Sequence, residues 1–195
     1  MKKLLITGFD PFGGETINPA WEAVKLLPDI IGDYELCKLE IPTVFGLGAE
    51  KVLAAAENCQ PELILCIGQA GGRSAVTPER VAINLRDARI PDNQGLQPEE
   101  EPVVPGGPDA IFATVPVKAM AQAIRDAGFP GAVSHTAGTF VCNDVLYTLL
   151  HRFRGTQIRV GFIHVPFLPQ QGEPSLPLEQ TTAALLAAIR AAVQF

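Results

Sequence analysis

No long uninterrupted apolar segment occurs in this chain of 195 residues. The longest stretch without Asp, Glu, Lys or Arg spans residues 127–143, and it contains Pro130, Ser134, His135 and several glycines and threonines. A membrane-spanning helix needs about 20 predominantly apolar residues. We therefore expect no membrane partner and no membrane-crossing helix.

Basic residues are also scarce, with 15 Lys and Arg against 21 Asp and Glu and a net charge of −6. Non-specific binding to nucleic acid depends on cations that neutralise phosphates, and attraction to anionic lipid depends on polybasic clusters. The composition argues against both partners. Hydrophobic residues make up 47% of the chain, which excludes intrinsic disorder, since disorder requires low hydrophobicity.

Four cysteines and three histidines give no metal-binding spacing, because no C-x-x-C pair and no H-x-x-x-H pair occurs. We expect no zinc or iron–sulfur site. The segment Met1–Thr7 lacks a signal-peptide cleavage site, which favours the cytoplasm. Disulfides are rare in that reducing compartment. No pairing is therefore expected for Cys37, a strand residue, or for Cys59, at the end of a helical pattern.

Short apolar runs alternate with helical patterns along the chain. Strands are predicted at residues 3–7, 34–41, 63–67, 132–134 and 159–165. Helices are predicted from Asn18-Pro19 onward and at residues 44–57, 117–127, 143–151 and 178–193. This alternation predicts βαβ units and a mostly parallel sheet in a single α/β domain over residues 1–195. Sites in such sheets lie beyond the carboxyl ends of the strands.

Two glycine-rich segments fail the tests for nucleotide-binding loops. Residues 8–14 begin like a phosphate-binding loop, but Gly14-Glu15 stands where that motif requires a lysine. Residues 68–72 follow a predicted strand without giving G-x-G-x-x-G. Turn glycines explain both segments. A third segment, Gln94–Pro108, is rich in Pro, Glu and Gly, and we expect it to be an excursion or a flexible loop.

Cys142 is the candidate nucleophile. It falls where a small-residue turn enters a predicted helix, and unpaired N–H groups and the helix dipole favour a thiolate at such a position. The same N–H groups can hold the oxyanion that forms when a carbonyl is attacked. A buried structural thiol in a turn is the alternative interpretation.

A cysteine nucleophile needs a base and a carboxylate that fixes the tautomer of the base. His164 ends a predicted strand and is the better base by position, and His135 is its competitor. The carboxylate candidates are Glu79, Asp87, Asp10 and Asp144. Phe9 and Phe12 flank a strand-end loop, where spacing alone fits core packing and the wall of an apolar pocket equally well.

Together these segments resemble the pyroglutamyl-peptidase type I family of cysteine peptidases. The matching segments are residues 7–14 with Asn18-Pro19, 68–73, 78–84, 88–93, 136–143 and 162–166. They occur in the family's order and cover the chain from its start to about residue 170. The resemblance implies a three-layer α/β/α sandwich around a mostly parallel twisted sheet, without a metal or organic cofactor and often found as a homotetramer.

The implied activity is removal of an N-terminal pyroglutamyl (5-oxoprolyl) residue from peptides through a thioester. By resemblance, Cys142 matches the nucleophile, His164 the general base and acid, and Glu79 the residue that orients His164. Arg89 matches the arginine of the oxyanion site, alongside the Cys142 backbone N–H.

The resemblance also implies the residues that hold the substrate. Phe9, Phe12 and Phe140 match the aromatic cage around the lactam ring, and Gln69 matches the loop whose backbone meets the ring amide. Two other functions compete with this one. The Cys–His pair could serve another small cyclic amide or ester, or the chain could be a nucleotide-binding α/β module in which Cys142 is structural.

Overall fold

The computed structural model describes residues 1–195 and contains eight strands and five helices. The strands are β1 (Lys2–Phe9), β2 (Ile30–Ile31), β3 (Tyr34–Ile41), β4 (Leu63–Gln69), β5 (Thr77–Pro78), β6 (Val81–Ile83), β7 (Ala110–Phe112) and β8 (Arg159–Val165). The helices are α1 (Pro19–Leu26), α2 (Leu47–Cys59), α3 (Val117–Asp126), α4 (Val141–Arg152) and α5 (Leu178–Val193). None of these helices combines the length and apolar character that a membrane crossing needs.

The main sheet has the strand order β2-β3-β1-β4-β8-β5. Its four central strands are parallel, whereas the short edge strands β2 and β5 pair antiparallel with β3 and β8. Strands β6 and β7 form a separate two-stranded sheet. The predicted mostly parallel α/β sheet is confirmed, and the carboxyl ends of β1, β4 and β8 open on one edge.

Successive residues of the central strands point to opposite faces of the sheet, and this alternation divides the core in two. Leu63, Leu65 and Ile67 of β4 face α1, α3 and α5, whereas Ile64 and Cys66 face α2 and α4. All five residues are fully buried. Helices therefore cover both faces of the sheet, as the three-layer prediction requires.

The predicted strand at residues 132–134 is wrong. The segment forms only isolated bridges, which join Val76 to Gly131 and Glu79 to Ser134. Its partner segment runs through β5, which is two residues long, so no continuous ladder can develop beside it. The segment nevertheless holds Glu79 in place, because the Ser134 N–H donates to the Pro78 carbonyl at 3.0 Å.

The Gln94–Pro108 excursion follows a path that side chains fix at both ends. The buried Asp92 accepts the backbone N–H groups of Phe45, Gln94 and Leu96. At the other end Asn84 accepts the Val104 N–H at 2.8 Å and donates to the Val104 carbonyl at 2.8 Å. The segment is an excursion without a helix or strand, as expected, and these two side chains take the place of secondary structure as its hydrogen-bond partners.

Cys37 of β3 and Cys59 at the end of α2 form a disulfide, with their Cα atoms 6.8 Å apart. The expectation of no pairing is therefore wrong for these two residues. It rested on the chemistry of the compartment, whereas the fold packs α2 against β3 and brings the two positions together. A reducing compartment would keep the same pair as thiols.

We expect the Cys37→Ser/Cys59→Ser protein to lose about 3 kcal/mol of unfolding free energy under oxidising conditions, since the bridge closes a chain segment with a sequence separation of 22. Denaturant unfolding with and without a reducing agent measures this loss. The reducing agent should bring the wild-type protein down to the level of the variant. Identical unfolding midpoints for the oxidised and reduced wild-type protein would contradict the prediction.

Candidate active site

A cleft of about 670 Å³ opens at the carboxyl ends of β4 and β8. Gly68 and His164 are register partners on these strands, and Gln69 and Val165 follow as the next pair. Cys142, the second residue of α4, lines the same cleft as His164. The remaining lining residues are Phe12, Gln69, Ala70, Gly71, Arg73, Asp87, Arg89, Ile90, Thr136, Ala137, Gly138, Thr139, Phe140 and Phe167. The structure thus brings together the predicted nucleophile and base.

The Cys142 sulfur lies directly over Gly68, the register partner of His164. A methyl group at residue 68 would lie 2.9 Å from Cys142 Sγ and 2.7 Å from the ring of Phe162. Ordinary carbon contacts are about 3.5–4.0 Å, so both neighbours would have to move. The absence of a side chain at residue 68 therefore sets how closely Sγ approaches the edge of the sheet beside His164.

We expect Gly68→Ala to lower kcat about 10²-fold, because a displacement of about 1 Å at a reacting atom costs that much. Overpacking should also lower stability by about 1–3 kcal/mol. Steady-state kinetics and thermal unfolding measure the two effects. Gly128→Ala is the control for a loss of stability without a displaced sulfur, because its φ of +86° strains any side chain although nothing lies within 4 Å, and it should keep the wild-type kcat. A Gly68→Ala enzyme with wild-type kcat would contradict this account of Gly68.

Glu79 and His164 form a buried pair behind the cleft. Nδ1 of His164 lies 2.7 Å from Oε1 of Glu79, and the two residues are 3% and 0% exposed. Burial opposes ionisation of Glu79, but the hydrogen bond and charge of His164, with the charge of Arg73, hold the pKa of this carboxyl below its usual value. An ionised carboxylate only accepts hydrogen bonds, so Nδ1 carries the proton and Nε2 keeps its lone pair.

Burial lowers the pKa of His164 below its ordinary value, although Glu79 acts in the opposite direction. The imidazole is therefore neutral at neutral pH, the form in which a general base must rest. Its ring also packs against Phe162 with centroids 4.7 Å apart. Packing and the carboxylate together fix the orientation of the ring.

For the protein without substrate, the prediction that helix position lowers the pKa of the Cys142 thiol is wrong. Burial raises this pKa, and the charge of Glu79 acts in the same direction, whereas Arg73 and a backbone hydrogen bond oppose them. Desolvation of the charged form outweighs the helix terminus here. A thiol, and not a preformed thiolate, therefore rests in the cleft.

The other predicted carboxylates do not contact His164. Asp10 accepts the Thr43 N–H at 2.7 Å and the Asn93 amide at 3.1 Å. Asp144 accepts the Gly46 N–H at 2.8 Å and Arg86 at 2.6 Å. Asp87 lines the cleft and is exposed to solvent. The contact with His164 belongs to Glu79.

His135, the competing base, is exposed and does not line the cleft. The third histidine, His151, is near the end of α4 and stacks on Tyr147 with ring centroids 6.1 Å apart. Only His164 shares the cleft with Cys142. The structure therefore supports the choice of base that strand position had favoured.

Four of the five residues matched to substrate and oxyanion binding line the cleft, and they are Phe12, Gln69, Arg89 and Phe140. Phe12 and Phe140 form one wall with ring centroids 6.0 Å apart, and Phe45 supports Phe140 edge-on at 5.3 Å. Phe9 does not line the cleft. It is 1% exposed and packs on Phe162, so its predicted contact with a substrate stays a prediction.

The loop that carries Arg89 is tied to the segment before Cys142. The Asp87 N–H donates to the Thr139 carbonyl at 3.0 Å, and the Thr139 hydroxyl donates to the Asp87 carbonyl at 2.7 Å. Arg89 itself is exposed at the cleft. This pairing holds the two loops side by side, which places a cation near the amino end of α4.

Arg73 and Phe167 are among the cleft residues to which sequence reasoning gave no role. Arg73 donates to Oε1 of Glu79 at 2.6 Å, and a charge six residues before the carboxylate was the available signal. Phe167 lies so close to Gly71 that a methyl group at residue 71 would overlap its ring. No local pattern indicates this contact, because it joins the loops after two different strands.

Known proteins match this chain over its whole length. A sequence profile of the family described as pyroglutamyl peptidase matches residues 2–195. The pyrrolidone-carboxylate peptidase of Levilactobacillus brevis is 58% identical, covering 98% of this chain and 97% of its own length. The protein of that name from Enterococcus faecalis is 54% identical, covering 98% of this chain and 93% of its own length.

Solved structures agree with the sequence matches. The crystal structure of Bacillus amyloliquefaciens pyroglutamyl peptidase I superposes with a TM-score of 0.96 at 48% identity, covering 100% of this chain and 98% of that one. Pyrrolidone carboxyl peptidase from Thermococcus litoralis gives 0.94 at 36% identity, covering 100% and 94%. The chain belongs to the pyroglutamyl peptidase family, and the prediction that it is an enzyme of that family is confirmed.

Proposed function

We propose that residues 1–195 act as a single peptidase domain that removes an N-terminal pyroglutamyl residue through a thioester on Cys142. One observation carries the proposal. The buried His164–Glu79 pair, with Nδ1 and Oε1 2.7 Å apart, opens on the same cleft as the Cys142 sulfur. A nucleophile, a base and a group that orients the base are the parts that acyl transfer requires.

The first step couples proton transfer to attack. Because burial keeps Cys142 as a thiol, His164 Nε2 takes the thiol proton while Sγ bonds to the pyroglutamyl carbonyl carbon. The imidazolium that forms is stabilised by the Glu79 carboxylate at Nδ1. The carbonyl π electrons move to oxygen, which becomes the oxyanion of a tetrahedral intermediate.

The intermediate collapses to an acyl-enzyme and is then hydrolysed. The Cys142 backbone N–H and Arg89 would stabilise the oxyanion. His164 gives its proton to the leaving amine as the C–N bond breaks, which leaves a thioester on Sγ. Water then attacks the thioester carbon while Nε2 takes its proton, and that proton returns to Sγ as pyroglutamate leaves.

The lining of the cleft supports a neutral lactam as the acyl group. Phe12 and Phe140 supply an apolar wall, which suits a ring that carries no charge. A prolyl or glutaminyl amine would bring an ammonium ion instead. That ion would lie among two cations, Arg73 and Arg89, against the single lining carboxylate of Asp87, and it would have to be desolvated.

The proposal is tested with fluorogenic amides of pyroglutamate, proline and glutamine under one set of conditions. We expect hydrolysis of the pyroglutamyl amide, and kcat/KM at least about 10²-fold lower for the other two, since each brings an unpaired charge into the cleft. Cys142→Ser is the control for contaminating peptidases. Equal rates on the three amides, or full activity of Cys142→Ser, would refute the proposal.

The resemblance also carries the expectation of a homotetramer, and the sequence favours a cytoplasmic location. Large apolar side chains at the surface, among them Phe112 at 69% and Ile30 at 54% exposure, are consistent with self-association. Light scattering coupled to size-exclusion chromatography measures the mass in solution. A monomer at micromolar concentration would contradict the tetramer.

A further inference from the structure

Arg73 joins two parts of the candidate site, the segment of Thr77 and Glu79 and the segment before Cys142. Its guanidinium donates to the Thr77 hydroxyl at 2.7 Å, to Oε1 of Glu79 at 2.6 Å and to the Thr136 carbonyl at 2.8 Å. Thr136 lies in the segment that leads to Cys142, and Thr77 and Glu79 lie beside His164. The side chain is 28% exposed, so most of it is enclosed by these partners.

We propose that Arg73 is a positioning residue of the peptidase, and that it clamps the Glu79–His164 pair to the nucleophile segment and sets the charge balance between base and nucleophile. The proposal rests on the function proposed above. Arg73 is the cation whose side chain contacts both Glu79 and the segment before Cys142.

Geometry supports the clamping part of the proposal. Oε1 of Glu79 accepts from Arg73 at 2.6 Å and from His164 Nδ1 at 2.7 Å, so one oxygen is held between two donors. Only a planar guanidinium with several N–H groups can hold this oxygen and the Thr136 carbonyl together. The ammonium of a lysine is a single centre and cannot span the same acceptors.

Charge supports the tuning part. The Arg73 cation opposes protonation of His164 and favours ionisation of Cys142. A resting general base must be neutral and its nucleophile must lose a proton, so both effects favour the reaction. The other titratable groups around this cluster are Glu79, Cys66, Asp87 and Arg89. Arg73 is the cation in direct contact with the Glu79 carboxylate.

The first test needs no substrate, because the chain has only three histidines and NMR titration follows each imidazole. In Arg73→Met we expect the pKa of His164 to rise, since the loss of a nearby cation favours imidazolium. The resonances of His135 and His151 are read in the same titration as internal controls. Arg125→Met is the matched variant, because Arg125 occupies an exposed position on α3 and also donates to a backbone carbonyl, that of Gly131.

The second test separates position from charge. Arg73→Lys keeps the charge, so His164 should titrate as in the wild-type protein while kcat falls at least about 10-fold and KM changes little, because the planar clamp is lost. Arg73→Met should lose more kcat and shift the acid limb of kcat/KM to higher pH. This second test also decides the matter if Arg73→Met does not fold.

The possible outcomes are distinct. An unmoved His164 pKa in folded Arg73→Met, or a wild-type kcat in Arg73→Lys, would overturn the role of Arg73. A wild-type protein that does not cleave the pyroglutamyl amide would refute the proposed function instead, and the NMR titration would still decide whether Arg73 tunes His164.

Discussion

His164→Ala should lower kcat/KM for a pyroglutamyl amide by about 10³-fold or more, whereas His135→Ala should keep most of the wild-type value. General-base catalysis alone contributes about 10²–10⁴-fold, and a nucleophile that rests as a thiol depends on its base fully. His135 is exposed and outside the cleft, so its loss removes no proton acceptor.

Steady-state kinetics of the two variants, with thermal unfolding to confirm that both fold, measures this difference. His151→Ala is a second control, since His151 stacks on Tyr147 away from the cleft. An inactive His135→Ala enzyme beside an active His164→Ala enzyme would exchange the roles of the two histidines. Equal activities of the His164→Ala and His135→Ala enzymes would contradict the assignment of His164 as the base.

Glu79→Gln should lower kcat by about 10²–10⁴-fold with little effect on overall structure. The amide keeps the shape of the side chain but loses the charge that stabilises the imidazolium at Nδ1 and fixes its tautomer. Glu79 raises the pKa of His164 in the wild-type protein. Its neutral replacement should therefore lower that pKa further and move the acid limb of kcat/KM to lower pH.

A pH profile of kcat/KM for Glu79→Gln and the wild-type enzyme checks both parts. In the wild-type protein the acid limb should already lie below the ordinary histidine value of about 6.5, since burial lowers the pKa of His164. Glu179→Gln, an exposed change at the start of α5, is the control. An acid limb that moves to higher pH in Glu79→Gln would contradict the assigned geometry.

Much of the fold follows from local sequence patterns. Residues 34–41, 159–165 and 178–193 have the predicted bounds, because apolar periodicity and clear turn residues coincide there. Asn18 caps α1 as predicted, with its side chain accepting the Ala20 N–H at 3.0 Å. The segment at 132–134 failed for a non-local reason, since its partner strand β5 is too short to extend a ladder.

The residues of the candidate site, like the fold, could be predicted only in part from local sequence. Strand-end position already favoured His164 over His135, but four carboxylates stayed open from the residues alone. Only the resemblance selected Glu79, and the structure then placed it 2.7 Å from His164. Arg73, Phe167 and the Cys37–Cys59 bridge each depend on contacts between distant segments, which local spacing does not encode.

The Cys142 pKa shows a further limit of local reasoning. A position at the start of α4 predicts a stabilised thiolate, but burial and the Glu79 carboxylate reverse the direction. Both opposing causes arise from tertiary packing. The consequence is chemical, because a nucleophile that rests as a thiol makes proton transfer to His164 part of the attack and not a step that precedes it.

The most direct test asks whether the Cys142 sulfur carries the acyl group during turnover. The enzyme is quenched with acid while it turns over a pyroglutamyl ester, and mass spectrometry of its peptides then locates the adduct. A pyroglutamyl group should appear on the peptide that holds Cys142 and on no other, and both the adduct and turnover should vanish in Cys142→Ala. Acylation at a different side chain, or undiminished turnover by Cys142→Ala, would show that the covalent chemistry lies elsewhere.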